Sequence, residues 1–194
     1  MREVALLFLL APPRAKKMHF TDSSLPSSLQ SLFSRSNCYA GIGSRAAPAA
    51  VLTLMEHTAA HLAGRGLTLR SGGAPGADAA FERGCDRAHG KKEIFLPWKE
   101  FNGHPSPYFC PPRQAEVLAS FMHPNWASCT PAARKLHARN CQQVCGLRLD
   151  DPVGFVLFWA PEEGGKVKGG TATAVSLARE LDIPTYNLWN QTLR

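Results

Sequence analysis

From Asn37 onward, short apolar runs of strand length alternate with longer stretches in which apolar side chains recur every three or four positions. Residues 38–42 (CYAGI) form a short run that enters glycine, the pattern of a strand meeting a turn. Val51, Leu54, Met55, Thr58, Ala59 and Leu62 then follow helical spacing, with Pro48 where a first helical residue belongs and Gly64 and Gly66 as stops. Residues 67–70 predict a second strand, which runs into the polar turn SGGAPGAD at 71–78 and a second helix to about Ala88. A third strand is predicted at 93–96, and the proline- and aromatic-rich stretch 97–112 reads as a long loop. Residues 112–121 predict a short helix. Thr130 is an N-cap before first-turn Pro131, opening a helix to about Cys145. Residues 153–159 are nearly all apolar, as in a strand covered on both faces. A glycine-rich loop at 164–171, a helix at 172–181 and a last strand at 184–188 complete the pattern.

This alternation predicts an α/β domain, a parallel sheet of about five strands flanked by helices on both faces. It occupies residues 38–194, behind a tail of residues 1–37. In such sheets ligands bind at the carboxyl ends of the strands, where the strand order reverses.

Composition narrows the class. With 44% hydrophobic residues the 194-residue chain has the means to build a core, and no apolar run reaches the roughly 18–20 residues that cross a bilayer. The run at 4–11 (VALLFLLA) is too short to span and is followed by Pro12, Pro13, Arg14, Lys16 and Lys17 without a small-x-small cleavage site, so a cytoplasmic location is expected. Met18 offers an alternative start, and residues 25–33 a short helix in the serine-rich lead-in. The net charge is +7, and residues 1–38 carry five of the 22 basic and two of the 15 acidic side chains. The body is therefore mildly basic, which suits an anionic ligand and equally an ordinary soluble surface. Six cysteines are too sparse for a disulfide scaffold.

Three glycine-rich loops follow predicted strands and precede predicted helices: Gly41, Gly43, Ser44 and Arg45; Ser71, Gly72, Gly73 and Gly76 to Asp78; and Gly169, Gly170 and Thr171. A parallel sheet puts all three on one edge, where helix-start amides and dipoles favour an anion. Arg45, Lys166 and Lys168 add charge, and Arg70 either grips a phosphate or forms a structural ion pair. Neither the G-x-G-x-x-G fingerprint nor the P-loop pattern is present.

In order and content, residues 39–45 (YAGIGSR), 69–78 (LRSGGAPGAD) and 169–174 (GGTATA) resemble the SLOG superfamily, which joins the DNA-processing protein DprA with the Lonely Guy (LOG) phosphoribohydrolases. The nearest likeness is to short DprA-like proteins of phages and bacteria, and it spans roughly residues 39–188. The resemblance implies a Rossmann-like fold that binds nucleotide phosphate or nucleic-acid backbone at the glycine loops. Dimers are common in the family, so a homodimer is an expectation. The LOG glutamate that follows the PGGxGT motif is absent here, where residues 172–176 read ATAVS.

Asp78 and Glu82 share one face of the second helix, and as a pair they could hold a ribose hydroxyl and stabilise an oxocarbenium-like centre. Acids at a helix start are also explained by the dipole alone. His137, Arg139 and Asn140 (HARN) could reach the nucleotide, and Trp98, Phe101, Tyr108, Trp126 and Trp159 could stack on a base or cap the core. No metal site is expected: His57 and His61 lack a third ligand, and Cys141 and Cys145 form no CxxC. The leading expectation is a nucleotide-binding protein without a cofactor. The alternatives are an N-glycosidase acting on nucleoside monophosphates through Glu82 or Asp78, and a single-stranded DNA binder.

Overall fold

The computed structural model of the chain describes residues 36–191. The expectations at 4–11, Met18 and 25–33 lie outside the described residues.

The first strand, β1 (Cys38–Gly43), alternates sides: Tyr39 faces one layer, and Ala40 and Ile42 face the other. It is followed by α1 (Ala49–Gly64), β2 (Thr68–Ser71), α2 (Ala77–Arg87) and β3 (Lys92–Leu96). Pro48 caps α1 at φ −61° instead of standing inside it. The stretch after β3 holds a single 3-10 turn (Phe101–Gly103) and a two-residue strand, β4 (Tyr108–Phe109). Then come α3 (Arg113–Met122), α4 (Pro131–Cys145) and β5 (Phe155–Trp159). A small antiparallel hairpin, β6 (Glu162–Glu163) and β7 (Lys166–Val167), precedes α5 (Ala172–Glu180) and β8 (Thr185–Asn187).

The main sheet is parallel throughout, in the order β4-β3-β2-β1-β5-β8. Its six strands exceed the expected five because β4 pairs with β3 from within the predicted loop. β5 is an interior strand with all five residues buried, as its apolar run predicts. Two layers of helices cover the sheet. Tyr39, Leu69, Phe155 and Leu157 pack under α1 and α2 around Met55 and Phe81. Ala40, Ile42, Val156 and Phe158 pack under α3, α4 and α5 around Ala119, Val144 and Val175. The chain order reverses at β1, whose neighbours are β2 on one side and β5 on the other. The architecture is a Rossmann-like α/β fold, and no helix among the described residues is long and apolar enough to cross a membrane.

Candidate functional site

A cleft of about 360 Å³ opens at the carboxyl edge of β1, beside the reversal of strand order. Three loops and one helix build it. The end of β1 and the loop after it contribute Gly43, Ser44 and Arg45, the loop before α2 contributes Ala74, and the loop into α5 contributes Lys168, Gly169, Gly170 and Thr171. Asp78 comes from the first turn of α2, and α4 supplies His137, Arg139, Asn140 and Gln143. The third loop does not follow β5 directly, because the β6–β7 hairpin intervenes.

The floor is a buried polar network. Arg139 Nη1 donates to Asp78 Oδ2 at 3.2 Å, and the Gly43 amide donates to Asp78 Oδ1 at 3.2 Å. The Gln143 carbonyl accepts from Arg139 Nη1 at 2.8 Å and from the Gly72 amide at 3.0 Å, and its amide nitrogen donates to Asn140 Oδ1 at 3.1 Å. Asn140 Nδ2 in turn donates to the Gly170 carbonyl at 2.7 Å. One face of α4 thus ties all three glycine loops together from below. Burial raises the Asp78 carboxyl above the ordinary range, against the pull of Arg139 and the hydrogen bonds it accepts. Burial lowers Arg139 correspondingly.

Glycine is required at two points of this floor. A Cβ on Gly72 would stand 1.4 Å from Arg139 Nη1, so the guanidinium lies where a side chain would begin. Gly76 holds φ +84° as the cap of α2, and a Cβ there would meet the Arg45 backbone at 2.7 Å.

Among the expected site residues, Gly43, Ser44, Arg45, Asp78, Gly169, Gly170 and Thr171 meet at the cleft, together with His137, Arg139 and Asn140. Others lie elsewhere. Gly41 sits within β1, where an added Cβ would be 2.6 Å from the Phe81 ring. Ser71 is buried and donates to the Gly41 carbonyl at 2.7 Å. Gly72, Gly73 and Gly76 shape the turn without lining the cleft. Arg70 takes the ion-pair alternative: its Nε meets Glu93 at 2.6 Å and its Nη2 meets Asp151 at 2.5 Å, fastening the α4–β5 connection to the sheet. Glu82 is turned away from the cleft, toward Lys92 at 2.7 Å and His104 at 2.8 Å. Asp78 and Glu82 share a helix but not a site, because Asp78 points under the β1 loop and Glu82 points to β3 and the segment after it. Trp159 is buried edge-on against Trp189, with ring centroids 5.1 Å apart. Lys168 lines the cleft and Lys166 does not.

The loop aromatics cap core edges: Trp98 packs edge-on against Phe101 at 5.0 Å and Tyr108 tilts on Phe95 at 5.6 Å. Trp126 instead stands beside His123 and His137, which contact each other with centroids 4.4 Å apart. Burial, with smaller pushes from His123 and Arg139, holds the His137 imidazole down to about 4, so it is neutral near pH 7. Its Nδ1 lies 2.8 Å from Thr173 Oγ1.

Gln143 is a residue of the cleft floor that the sequence expectations do not include. The signal was present, since Gln143 stands four after Arg139 and three after Asn140 on one helix face. The grouping of His123 and Cys129 with His137 was missed as well, because its spacing matches no short motif.

Fold and site together define a Rossmann-like α/β protein with a polar, glycine-lined cleft at its strand-order reversal. Comparison with protein-family models, curated proteins and solved structures finds no match.

Proposed function

We propose that the cleft binds a nucleotide or a nucleotide-like phosphate, as the SLOG resemblance implies. The observation that carries this reading is the convergence of three glycine loops on one cleft whose charge balance is positive. Arg45 and Lys168 line it, Lys168 also pairing with the exposed Glu163 at 3.3 Å, and its one lining carboxylate, Asp78, is already matched by Arg139. The α5 N-terminus at Gly170 and Thr171 adds the favourable end of a helix dipole.

A binding role is favoured over N-glycosidase chemistry. Of the two carboxylates that reaction would use, only Asp78 is at the cleft, and it is held by a guanidinium and a backbone amide. Six cysteines in 194 residues are too sparse for a disulfide scaffold, which supports a cytoplasmic location as part of this proposal.

The test is thermal stabilisation by a panel of ribo- and deoxyribonucleoside monophosphates, with chromatography for released base. Gly170→Asp is the informative variant, because no atom lies within 4 Å of the Cβ it would add and the fold has room for it. Gly170→Asp is expected to keep the wild-type melting temperature and lose nucleotide stabilisation, since it places a carboxylate where phosphate would sit. Undiminished stabilisation of this variant would remove the loop from the site. Base release by the wild-type protein would restore the glycosidase reading.

A further inference from the structure

His123, Cys129 and His137 come from three separate segments, the residue after α3, the loop before α4 and the second turn of α4, yet each offers a ligand atom within 4.8 Å of the other two. The Cys129 sulfur lies 3.7 Å from His123 Nδ1 and 3.9 Å from its Nε2. Tetrahedral zinc, with Zn–N of about 2.1 Å and Zn–S of about 2.3 Å, places its ligand atoms about 3.4–3.7 Å apart. Small side-chain rotations therefore bring the three to ligand spacing without moving the backbone.

The surroundings are those of a metal site. Thr173 Oγ1, on a residue 1% exposed, lies 2.8 Å from His137 Nδ1, so Nε2 is the ring nitrogen assigned to an ion. Such an outer hydrogen bond orients a ligating imidazole and fixes its tautomer. Trp126 forms one wall, with its ring centroid 6.3 Å from both imidazoles and Arg134 stacked on it at 5.5 Å.

We propose that His123, Cys129 and His137 bind a divalent transition ion of the zinc class, with the fourth position left to water or to a ligand in the adjoining cleft. One thiolate and two imidazoles select zinc, cobalt or nickel over the oxygen-seeking magnesium and calcium. On binding, the Cys129 S–H bond gives way to an S–metal bond and the proton leaves to solvent. The ion would clip the 123–129 segment to α4 beside His137, which is itself part of the cleft wall. This inference does not depend on what the cleft binds.

The experiment is titration of the chelator-treated, reduced full-length protein with cobalt(II), followed by optical absorption. One equivalent is expected to give visible bands of tetrahedral intensity and a near-ultraviolet thiolate-to-cobalt charge-transfer band, all bleached by added zinc. Cys129→Ser should abolish the charge-transfer band, and His137→Asn should lose tight cobalt binding, while both variants keep the wild-type circular dichroism. The proposal is overturned if excess cobalt produces no charge-transfer band, or if the band survives in Cys129→Ser. Survival would assign the thiolate to another cysteine, such as the exposed Cys110.

Discussion

At the scale of single residues, the Asp78–Arg139 pair decides the cleft. Both side chains are almost fully buried, and each also bonds outward, Asp78 to the β1 loop and Arg139 to Gln143. Replacing one member leaves the other as an uncompensated buried charge, a loss of about 3–5 kcal/mol. Arg139→Met nearly preserves volume and isolates that effect. Its unfolding free energy in urea is expected to fall by that amount, and a loss below about 1 kcal/mol would show that the pair does not organise the floor. How legible this was in the sequence differs between the partners. Asp78 drew notice because it sits beside a glycine turn at a helix start, a local feature. Arg139 was visible only as part of HARN, and its pairing with a residue 61 positions earlier depends on the packing of α4 against the sheet. Arg70 and Glu82 are settled by packing in the same way. Strand pairing sets Arg70 opposite Glu93, the ion-pair alternative the sequence leaves open, and helix rotation turns Glu82 toward Lys92 although it stands four residues after Asp78. One-dimensional proximity to a loop does not specify which side of an element a side chain takes.

At the scale of elements, α4 is the strut that carries six of the cleft residues. Its start was readable: Thr130 Oγ1 accepts from the Ala133 amide at 3.2 Å and Pro131 follows at the first position, as the TP pair predicts. Its partner Ala133 lines the cleft, but the cap is exposed and lies more than two turns from Arg139 and the polar floor, so its main contribution is to stability. Thr130→Ala is expected to destabilise by about 1 kcal/mol and to leave nucleotide-induced stabilisation unchanged. An altered ligand response would show that fraying at Thr130 reaches the cleft. The other helices and strands carried equally clear periodicity. The strands that escaped are the two-residue β4, β6 and β7, too short for any alternation to register. β4 lies among prolines, and Glu162, Glu163 and Lys166 are polar because the β6–β7 hairpin stands off the core, with Glu162 paired to Arg179 at 2.8 Å.

At the scale of the whole molecule, carboxylates join parts that hydrophobic packing alone leaves separate, and this fixes how stability responds to acid. Glu82 links α2 to β3 through Lys92 and to the segment after β3 through His104. Burial pushes its carboxyl up, but the hydrogen bonds and charge of Lys92 and His104 outweigh burial and hold it below the ordinary value. A carboxyl that is depressed on folding contributes stability fully above its unfolded pKa, near 4.3, and loses it as pH falls through the folded value. Glu162, held down by hydrogen bonds from Asn187 and Arg179, acts in the same direction. Asp78 acts oppositely, because a carboxyl raised by burial favours folding more as it becomes protonated. The Glu82 part can be isolated by comparing the wild-type protein with Glu82→Gln, in which the shifts at groups that do not interact with Glu82 cancel. At pH 7 the variant should be the less stable of the two. Below the unfolded pKa, near 4.3, the gap should begin to narrow, and it should close as pH falls through the depressed folded value, because the wild-type carboxyl then loses its charge and the glutamine never had one. Urea unfolding of both proteins across that range measures the gap directly, and a gap of equal size at pH 7 and at the acid end would mean that Glu82 acts through shape and not through its charge.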